Sequence, residues 1–299
     1  MTRAVETATG APTKSLKLEW APGASAGGGG ASVGALKPKG AAEKQYFYKS
    51  ASFSKFDMLH AEFLAIKEID STATIRVPKA IACGVSNNNA YAIYEYLNMG
   101  APKTGAIAKR MGRDLAQLHK ISKSPEGQFG FMVNNTCGAT PQPNPWTESW
   151  VDFWMTQRLD HMLKLCRRDG AVFPHEKMCL EKIREVLEDH VKRHHVPPAL
   201  CHGDLWSGNA GATVDGEPCI FDPAAYFADR EVDVAMTALF GRFADEFYEG
   251  YEEEWPLDDG FWEERVTIYN LYHILNHYVL FGGSYLSQAQ GMMGRILSR

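Results

Sequence analysis

Hydrophobic residues recur every three or four positions along several stretches of the chain, which is the spacing that predicts amphipathic helices. These stretches cover residues 53–69, 105–121, about 146–168 and 175–194, and a similar aromatic-rich pattern occupies the end of the chain. In the first stretch, Leu59, Phe63 and Ile66 form a single apolar stripe that would face a core. The second half of the chain is therefore predicted to be mainly helical.

Short runs of aromatic and aliphatic residues predict strands in the first third of the chain. They are Leu16–Trp20, Gln45–Lys49, Ala80–Cys83 and Ala90–Leu97, and a glycine-rich stretch at residues 27–34 separates the first two. We therefore predict an α+β fold with two lobes. A small β-rich N-lobe would span residues 1–97, and a larger, mainly helical C-lobe would span residues 98–299.

Composition narrows the class of protein. The chain has 299 residues, of which 45% are hydrophobic and 22% charged, and its formal net charge is −5 without a long basic run. These values are typical of a globular protein and do not indicate nucleic-acid binding. No stretch approaches the roughly eighteen apolar residues of a membrane span.

Cysteine usage indicates the compartment. Six scattered cysteines without a CxxC pair indicate reduced thiols and a cytoplasmic protein. The Thr- and Ala-rich start of the chain leaves organelle targeting as an alternative. Nothing in the sequence specifies an oligomeric state.

The strongest chemical signal lies at residues 200–223. Asp204 and Asn209 stand five residues apart, two residues after a His, in the spacing of a kinase catalytic loop. In that loop the Asp accepts the proton of the acceptor hydroxyl and the Asn binds Mg²⁺. Asp215-Gly216 lies between two strand-like runs and predicts a hairpin that returns Asp222 to the side of Asn209. Asp204 is the predicted base, and Asn209 and Asp222 are the predicted metal ligands.

A pattern that fixes only three positions also arises by chance in unrelated chains, so the loop alone leaves a purely structural interpretation open. The hairpin makes that interpretation weaker, because a chance match need not bring a second carboxylate to the metal site. We interpret His202 as a packed ring that braces the loop, and not as a reacting group.

An ATP site is predicted in the N-lobe. Glycines allow backbone N–H groups to approach phosphate oxygens, although a flexible linker is the alternative for such a stretch. Lys49 ends a strand-like run and would reach the α- and β-phosphates. The residues predicted to contact the phosphates through the glycine-rich stretch are Gly28, Gly29, Gly30 and Ser32.

Glu62 lies beside the apolar stripe of the first helix and is the predicted ion-pair partner of Lys49. Glu68 and Asp57 are less well placed rivals, and a solvated surface Glu is the alternative. The adenine edge is predicted to bind the backbone at the end of the last N-lobe strand, at Glu95, Tyr96 and Leu97.

The chain after Asp222 indicates the size of the acceptor. It reaches Asp229–Met236, where a helix is expected, without the long activation segment and Ala-Pro-Glu motif of protein kinases. A peptide-docking platform is therefore missing, which favours a small-molecule acceptor. Upstream, Trp146, Trp150 and Trp154 are predicted to lie mostly in the core, and the acceptor side of the cleft is the alternative.

Several ordered motifs resemble the fructosamine-3-kinase (ketosamine kinase) family from about residue 45 to 297. They are Arg76-Val77-Pro78-Lys79-Ala80-Ile81, Glu95-Tyr96-Leu97, Thr140-Pro141-Gln142-Pro143-Asn144-Pro145-Trp146, His202-Gly203-Asp204-Leu205-Trp206-Ser207-Gly208-Asn209, Phe221-Asp222-Pro223-Ala224, Asp229-Arg230-Glu231-Val232-Asp233 and Phe281-Gly282-Gly283-Ser284-Tyr285-Leu286. The resemblance implies a protein-kinase-like fold, ATP and Mg²⁺ as cofactors, and phosphorylation of the sugar 3-hydroxyl of ketosamines, free or on protein lysines. It also implies that Trp206 faces the acceptor sugar.

Two features depart from the family pattern. Members often have a Cys in the glycine loop where this chain has Gly30 or Ala31, which argues against redox control through that loop. The helix usual before the first strand is barely visible in this sequence. Two alternatives stay open beside a ketosamine kinase: another small-molecule kinase of the same fold, of the aminoglycoside or choline type, and a nucleotide-binding pseudokinase.

Overall fold

A five-stranded antiparallel sheet forms the small lobe of the computed structural model, which describes residues 5, 18–21, 30–38, 45–101 and 104–299. The strands are β1 (Leu18–Ala21), β2 (Ser32–Pro38), β3 (Tyr46–Ser52), β4 (Ala80–Ser86) and β5 (Asn89–Glu95). Their order in the sheet is β1-β2-β3-β5-β4. The predicted α+β class is confirmed, whereas the boundary between residues 97 and 98 stays a prediction.

Strand β2 corrects the sequence interpretation, which assigned residues 27–34 to a loop. Ser32 already pairs with Ser50, and the strand then continues along β3. Its composition hides it, because Gly34 and Pro38 have low strand propensity. Gly34 has a packing reason to be there: a Cβ at this position would lie 2.6 Å from the Tyr48 ring.

The first helix, α1 (Phe56–Ser71), follows a short 3-10 turn at Phe53–Lys55 and packs against the sheet. Leu59 and Ile66 are fully buried and Phe63 is partly buried, so the predicted apolar stripe is confirmed. This packing fixes the helix beside β3 and aims the side chain of Glu62 at the sheet.

The large lobe is mainly helical, as predicted. Its helices are α2 (Gly105–Ile121), α3 (Trp150–Phe153), α4 (His161–Arg168), α5 (Glu176–Arg193), α6 (Glu231–Thr237), α7 (Asp245–Glu254), α8 (Val266–Phe281) and α9 (Tyr285–Leu297). A π-helical turn, Trp154–Asp160, joins α3 to α4, and a second one, Phe261–Arg265, leads into α8. Trp150 and Trp154 are 2% and 1% exposed, so both belong to the core and not to the cleft.

Three short antiparallel strand pairs shape the part of the large lobe that faces the sheet. They are β6 (Asn135–Cys137) with β7 (Thr140–Gln142), β8 (Ala199–Cys201) with β11 (Tyr226–Ala228), and β9 (Ala210–Ala212) with β10 (Pro218–Ile220). The last pair is the predicted Asp215-Gly216 hairpin, and Gly216 adopts the positive φ of +81° that the turn requires. The first pair lies between α2 and α3, where the sequence analysis predicted no strand.

Among the described residues, no helix is both long enough and apolar enough to cross a membrane.

Candidate active site

A cavity of about 430 Å³ separates the sheet and α1 from the loop that follows β8. Side chains from both lobes meet on its walls, and α8 closes the far end. The predicted site residues on these walls are Lys49, Glu62, Asp204, Trp206, Asn209 and Asp222. The structure therefore brings together residues that are up to 173 positions apart, which is more than half of the chain.

Strand β3 places Lys49 at the centre of a charged triad. The Lys49 Nζ lies 2.8 Å from Glu62 Oε2 and 2.8 Å from Asp222 Oδ1. The predicted Lys49–Glu62 pair is thus present. Burial alone would lower the pKa of Lys49, but the charges of Glu62 and Asp222 raise it overall, so the ammonium stays protonated. A charged Lys with two acidic partners is positioned to meet a phosphate group.

The loop after β8 holds Asp204 at the base of the cavity. The Asn209 side-chain amide donates to the Asp204 backbone carbonyl at 2.8 Å and to its carboxylate at 3.2 Å. Burial raises the pKa of Asp204 to about 7, opposed by the Asn209 hydrogen bond and assisted by the charge of Asp222. A carboxyl with a pKa near neutrality is suited to accept and release a proton at physiological pH.

The β9–β10 hairpin returns the chain to Asn209, as predicted. Phe221 N–H donates to the Asn209 carbonyl at 3.0 Å, and Asp222 follows directly. Asp222 has φ of +58°, a left-handed conformation that is uncommon outside glycine and is often found at functional sites. The amide of Asn209 and the carboxylate of Asp222 offer hard oxygen donors on one side of the cavity, which is the ligand type that Mg²⁺ prefers.

His202 braces this loop, as expected from the sequence. The ring is fully buried, and its Nε2 donates to the Phe221 carbonyl at 2.9 Å while Nδ1 accepts from the Asp204 N–H at 3.3 Å. Burial lowers the pKa of His202, so the ring is neutral. Its single proton therefore ties the loop that carries Asp204 to the segment that precedes Asp222.

Asp233, on α6, supports the loop that carries Asp204, a contact that the sequence interpretation missed. Its two carboxylate oxygens accept from the backbone N–H groups of His202 (2.6 Å) and Gly203 (2.8 Å), and His119 Nε2 lies 3.2 Å away. These bonds hold the start of the catalytic loop. Gly203 has φ of +79°, and an added Cβ would collide with the Ala224 carbonyl.

Replacement of Asp233 by Ala should lower both stability and turnover. Two buried N–H groups would lose their acceptor, which costs about 1–3 kcal/mol for each unsatisfied group. Thermal unfolding measures the first effect, and kcat at a temperature well below Tm measures the second. The exposed Asp189 provides a matched control, because its replacement by Ala should leave both unchanged. Full activity in the Asp233 variant would contradict this role.

A second buried ionic network anchors α6. Arg265 donates to both oxygens of Glu231 at 2.6 and 2.9 Å, while Asp229 accepts from Tyr269 at 2.7 Å and lies 3.0 Å from His190 Nε2. Asp229, Glu231 and Asp233 belong to the family motif named above, and all three are buried. The sequence did not predict this burial, because a run of charged residues resembles the solvated start of a helix.

Aromatic side chains line the end of the cavity away from Lys49. Trp206 is 39% exposed. Its indole lies over Gly208, where the Cβ of any other residue would collide with it. The cavity lining also includes Phe240, His277, Phe281 and Tyr285, with the Phe240 and His277 ring centroids 4.4 Å apart and those of His277 and Tyr285 5.1 Å apart. Only Trp206 was predicted to face the acceptor.

The predicted glycine loop is described only in part. Gly28 and Gly29 lie outside the described residues. Gly30 is exposed with φ of +70°, and Ser32 begins β2, while their neighbours Ala31 and Val33 reach the cavity wall. The end of the loop therefore lies at the wall of this cavity.

The predicted adenine segment does not line this cavity. The Glu95 carboxylate pairs with Arg76 Nη2 at 2.5 Å. The backbone N–H groups of Glu95 and Tyr96 donate to Lys79 and Gln45 carbonyls at 2.9 and 3.0 Å. The roles of Glu95, Tyr96 and Leu97 in adenine binding stay predictions.

The protein combines a small antiparallel sheet with a helical lobe. Lys49, Asp204, Asn209 and Asp222 lie on one cavity between them. This arrangement defines a protein-kinase-like phosphotransferase fold. Comparison with known proteins agrees, since the sequence pattern of the fructosamine kinase family matches residues 19–299. The chain belongs to the fructosamine kinase family.

Individual relatives support this assignment. The probable ketoamine kinase of Synechocystis sp. is 45% identical over 255 residues, which cover 85% of this chain and 84% of that protein. The chloroplastic protein-ribulosamine 3-kinase of Oryza sativa subsp. indica is 38% identical over 252 residues, or 83% of this chain and 71% of that protein. A crystal structure from Haemophilus somnus 129PT, assigned as a fructosamine-3-kinase, has a TM-score of 0.85 at 27% identity and covers 99% of this chain and 96% of that one.

Proposed function

We propose that this protein is an ATP-dependent ketosamine 3-kinase. The observation that carries the proposal is the meeting of Lys49, Asp204, Asn209 and Asp222 on one cavity with an aromatic end. Family membership narrows the acceptor, because the rice relative is named for ribulosamines on proteins. No observation favours an aminoglycoside-type or choline-type acceptor, and the intact set of charged residues argues against a pseudokinase.

Each charged residue then has a role. Lys49, held by Glu62, would contact the α- and β-phosphates, and the N–H groups of the glycine-rich stretch would cover them. Asn209 and Asp222 would hold Mg²⁺, for which their oxygens are suitable donors. When bound, this ion neutralises charge on the phosphates. Asp204 would orient the acceptor hydroxyl and take its proton as the oxygen attacks the γ-phosphate.

The aromatic end suits the rest of the acceptor. A ketosamine has a protonated secondary amine next to a polar sugar, and an aromatic face attracts such a cation. Trp206 would lie against the sugar and the amine, and His277 and Tyr285 would complete the opposite wall. An acceptor screen over ribulosamines, fructosamines and erythrulosamines, with an aminoglycoside and choline as comparisons, tests this assignment. Turnover of choline or the aminoglycoside alone would contradict it.

Phosphorylation at O3 would make the adduct unstable. The amine is on C1 and the carbonyl at C2, so enolisation towards C1–C2 pushes electrons out through C3. Phosphate leaves far more readily than hydroxide, and hydrolysis of the resulting unsaturated species frees the original amine. The protein therefore needs to supply only phosphoryl transfer for the amine to be deglycated. The six unpaired cysteines support a reducing compartment such as the cytoplasm for this reaction.

Replacement of Trp206 by Ala should raise the KM for the acceptor about tenfold and leave the KM for ATP nearly unchanged. The size follows from a desolvated cation–π contact of about 1–2 kcal/mol. Gly208→Ala should shift the same constant in the same direction, since its Cβ displaces the indole. Trp262 is similarly exposed (37%) and is not among the residues that line the cavity, so Trp262→Ala is the control. If Trp206→Ala changed the KM values for the acceptor and for ATP together, the result would contradict an acceptor role for Trp206.

A further inference from the structure

Three clusters of Cys, His and carboxylate side chains in the described part of the chain have potential ligand atoms close enough to share a metal ion. In two of them, hydrogen bonds already occupy potential ligand atoms. In one, both nitrogens of His119 are used, by Tyr251 and Asp233. In another, Glu231 is occupied by Arg265. The first cluster therefore has no free imidazole nitrogen, and a cation at the second would have to displace Arg265 from Glu231.

The third cluster is Cys137, Asp204 and His273, and it is open. One ligand atom from each lies within 4.8 Å of the other two, and Cys137 and Asp204 line the active-site cavity. His273 is 5% exposed, and its buried Nδ1 has no hydrogen-bond partner. Beside it, the buried Oδ1 of Asn276 also lacks a partner, although its Nδ2 donates to the Cys137 carbonyl at 3.2 Å.

Unpaired buried polar atoms are rare in native proteins, and an ion or a water often explains them. We propose that Cys137, Asp204 and His273 form an inhibitory site for Zn²⁺ or a similar thiophilic divalent cation. A bound ion would hold the Asp204 carboxylate and block the acceptor end of the cavity. Binding of the ion is inferred from the positions of the three side chains alone, whereas its inhibitory effect rests on the proposed kinase function.

The ligand chemistry selects the ion. Thiolate, imidazole and carboxylate are the groups that bind Zn²⁺, with ligand distances of about 2.0–2.3 Å in a tetrahedron. A thiolate and a carboxylate together neutralise the two charges of the ion. The ligand atoms lie within 4.8 Å of one another and would approach further around the ion, with a cavity water in the fourth position. Mg²⁺ prefers oxygen ligands and would stay with Asn209 and Asp222.

Binding must release the thiol proton. Burial raises the pKa of the Cys137 thiol, and the neighbouring charge of Asp204 raises it further. The cation itself displaces this proton to solvent, as at other zinc thiolates. The charge of Arg158 acts in the opposite direction and favours the thiolate. Where Asp204 is protonated, its proton leaves to solvent as well when the carboxylate binds the ion, and neither exchange needs an oxidant.

Direct metal binding tests the site independently of turnover. The full chain is titrated with Co²⁺ in the absence of nucleotide, and we expect one equivalent to give a thiolate-to-cobalt charge-transfer band that Zn²⁺ removes. Cys137→Ser should abolish the band, and His273→Gln should weaken binding about tenfold or more. Cys179→Ser, at a fully buried thiol in α5, should keep it. Far-ultraviolet circular dichroism confirms that each variant is folded. Absence of the band from the unaltered chain, or its persistence in Cys137→Ser, would overturn the proposal.

Zinc sensitivity of turnover tests the consequence. With saturating Mg-ATP, micromolar Zn²⁺ should inhibit the unaltered chain and Cys179→Ser, each measured against its own activity without zinc. Cys137→Ser should be resistant by about tenfold in zinc concentration. The same zinc–ATP complex forms in all three assays, so a difference in zinc sensitivity reports on this site alone. Equal sensitivity would overturn the inhibitory role, whereas a chain that binds Co²⁺ at Cys137 but phosphorylates no ketosamine would instead count against the proposed function.

Discussion

Asp204→Asn is expected to lower kcat by about 10²–10⁴-fold, the usual cost of removing a positioned general base. The amide preserves shape, so ATP affinity should be unchanged. In the unaltered protein the carboxylate must be deprotonated to act, and its pKa is raised to about 7. Activity should therefore rise with pH through neutrality, and this limb should be absent from the residual activity of the variant. Steady-state kinetics across pH measure both effects.

The stability of the folded protein should change with pH in the opposite direction to its activity and fall as the pH rises. Since the folded-state pKa of Asp204 lies above its ordinary value of 3.8, the folded state binds the extra proton between about pH 4 and 7. The stability contributed by that proton is lost as pH rises through 7. Without metal or nucleotide at pH 8, Asp204→Asn should therefore raise Tm by about 2 °C. Asp215→Asn, at an exposed turn, is the control for both measurements. Near-normal turnover in Asp204→Asn would contradict the assignment of the base.

Asp222→Ala is expected to abolish magnesium-dependent nucleotide binding, whereas Asn209→Ala should mainly raise the magnesium requirement. The ligands differ because a carboxylate neutralises charge and an amide only donates a lone pair. Asp222 also lies 2.8 Å from Lys49, so its loss disturbs both metal and phosphate contacts. Nucleotide binding measured by calorimetry over a magnesium titration separates the two variants.

The backbone at this position calls for a second variant. Asp222 has φ of +58°, which Asn tolerates and Ala does not. Asp222→Asn therefore removes the charge without the backbone strain, and it should show nearly the same loss of binding as Asp222→Ala. Equal and small effects in the Asn209 and Asp222 variants would mean that the metal site is elsewhere.

Local signals explain why part of the site could be predicted. The spacing of Asp204 and Asn209, and the Asp215-Gly216 turn that returns Asp222 beside them, depend on neighbouring residues and on turn chemistry. Lys49 and Glu62 could be paired because a strand and the next helix have few ways to pack. In each case the sequence pattern and the three-dimensional contact are close to one another along the chain.

The features that were missed depend on distant contacts. Asp233 holds the catalytic loop from α6, about thirty positions away, and its burial depends on packing that no periodicity encodes. His277 and Tyr285 reach the cavity because α8 and α9 fold back over it. Strand β2 was hidden because Gly34 is chosen for contact with Tyr48 and not for strand propensity.

The central claim is tested most directly by following a glycated lysine peptide through the reaction. Incubated with this protein and Mg-ATP, the peptide should gain the mass of one phosphate, which NMR should place on the 3-hydroxyl of the sugar. After the protein is removed, the peptide should lose the whole sugar and release inorganic phosphate, which leaves the free lysine. An adduct that gains no phosphate, that stays intact for days after phosphorylation, or that has phosphate on another hydroxyl would contradict the account.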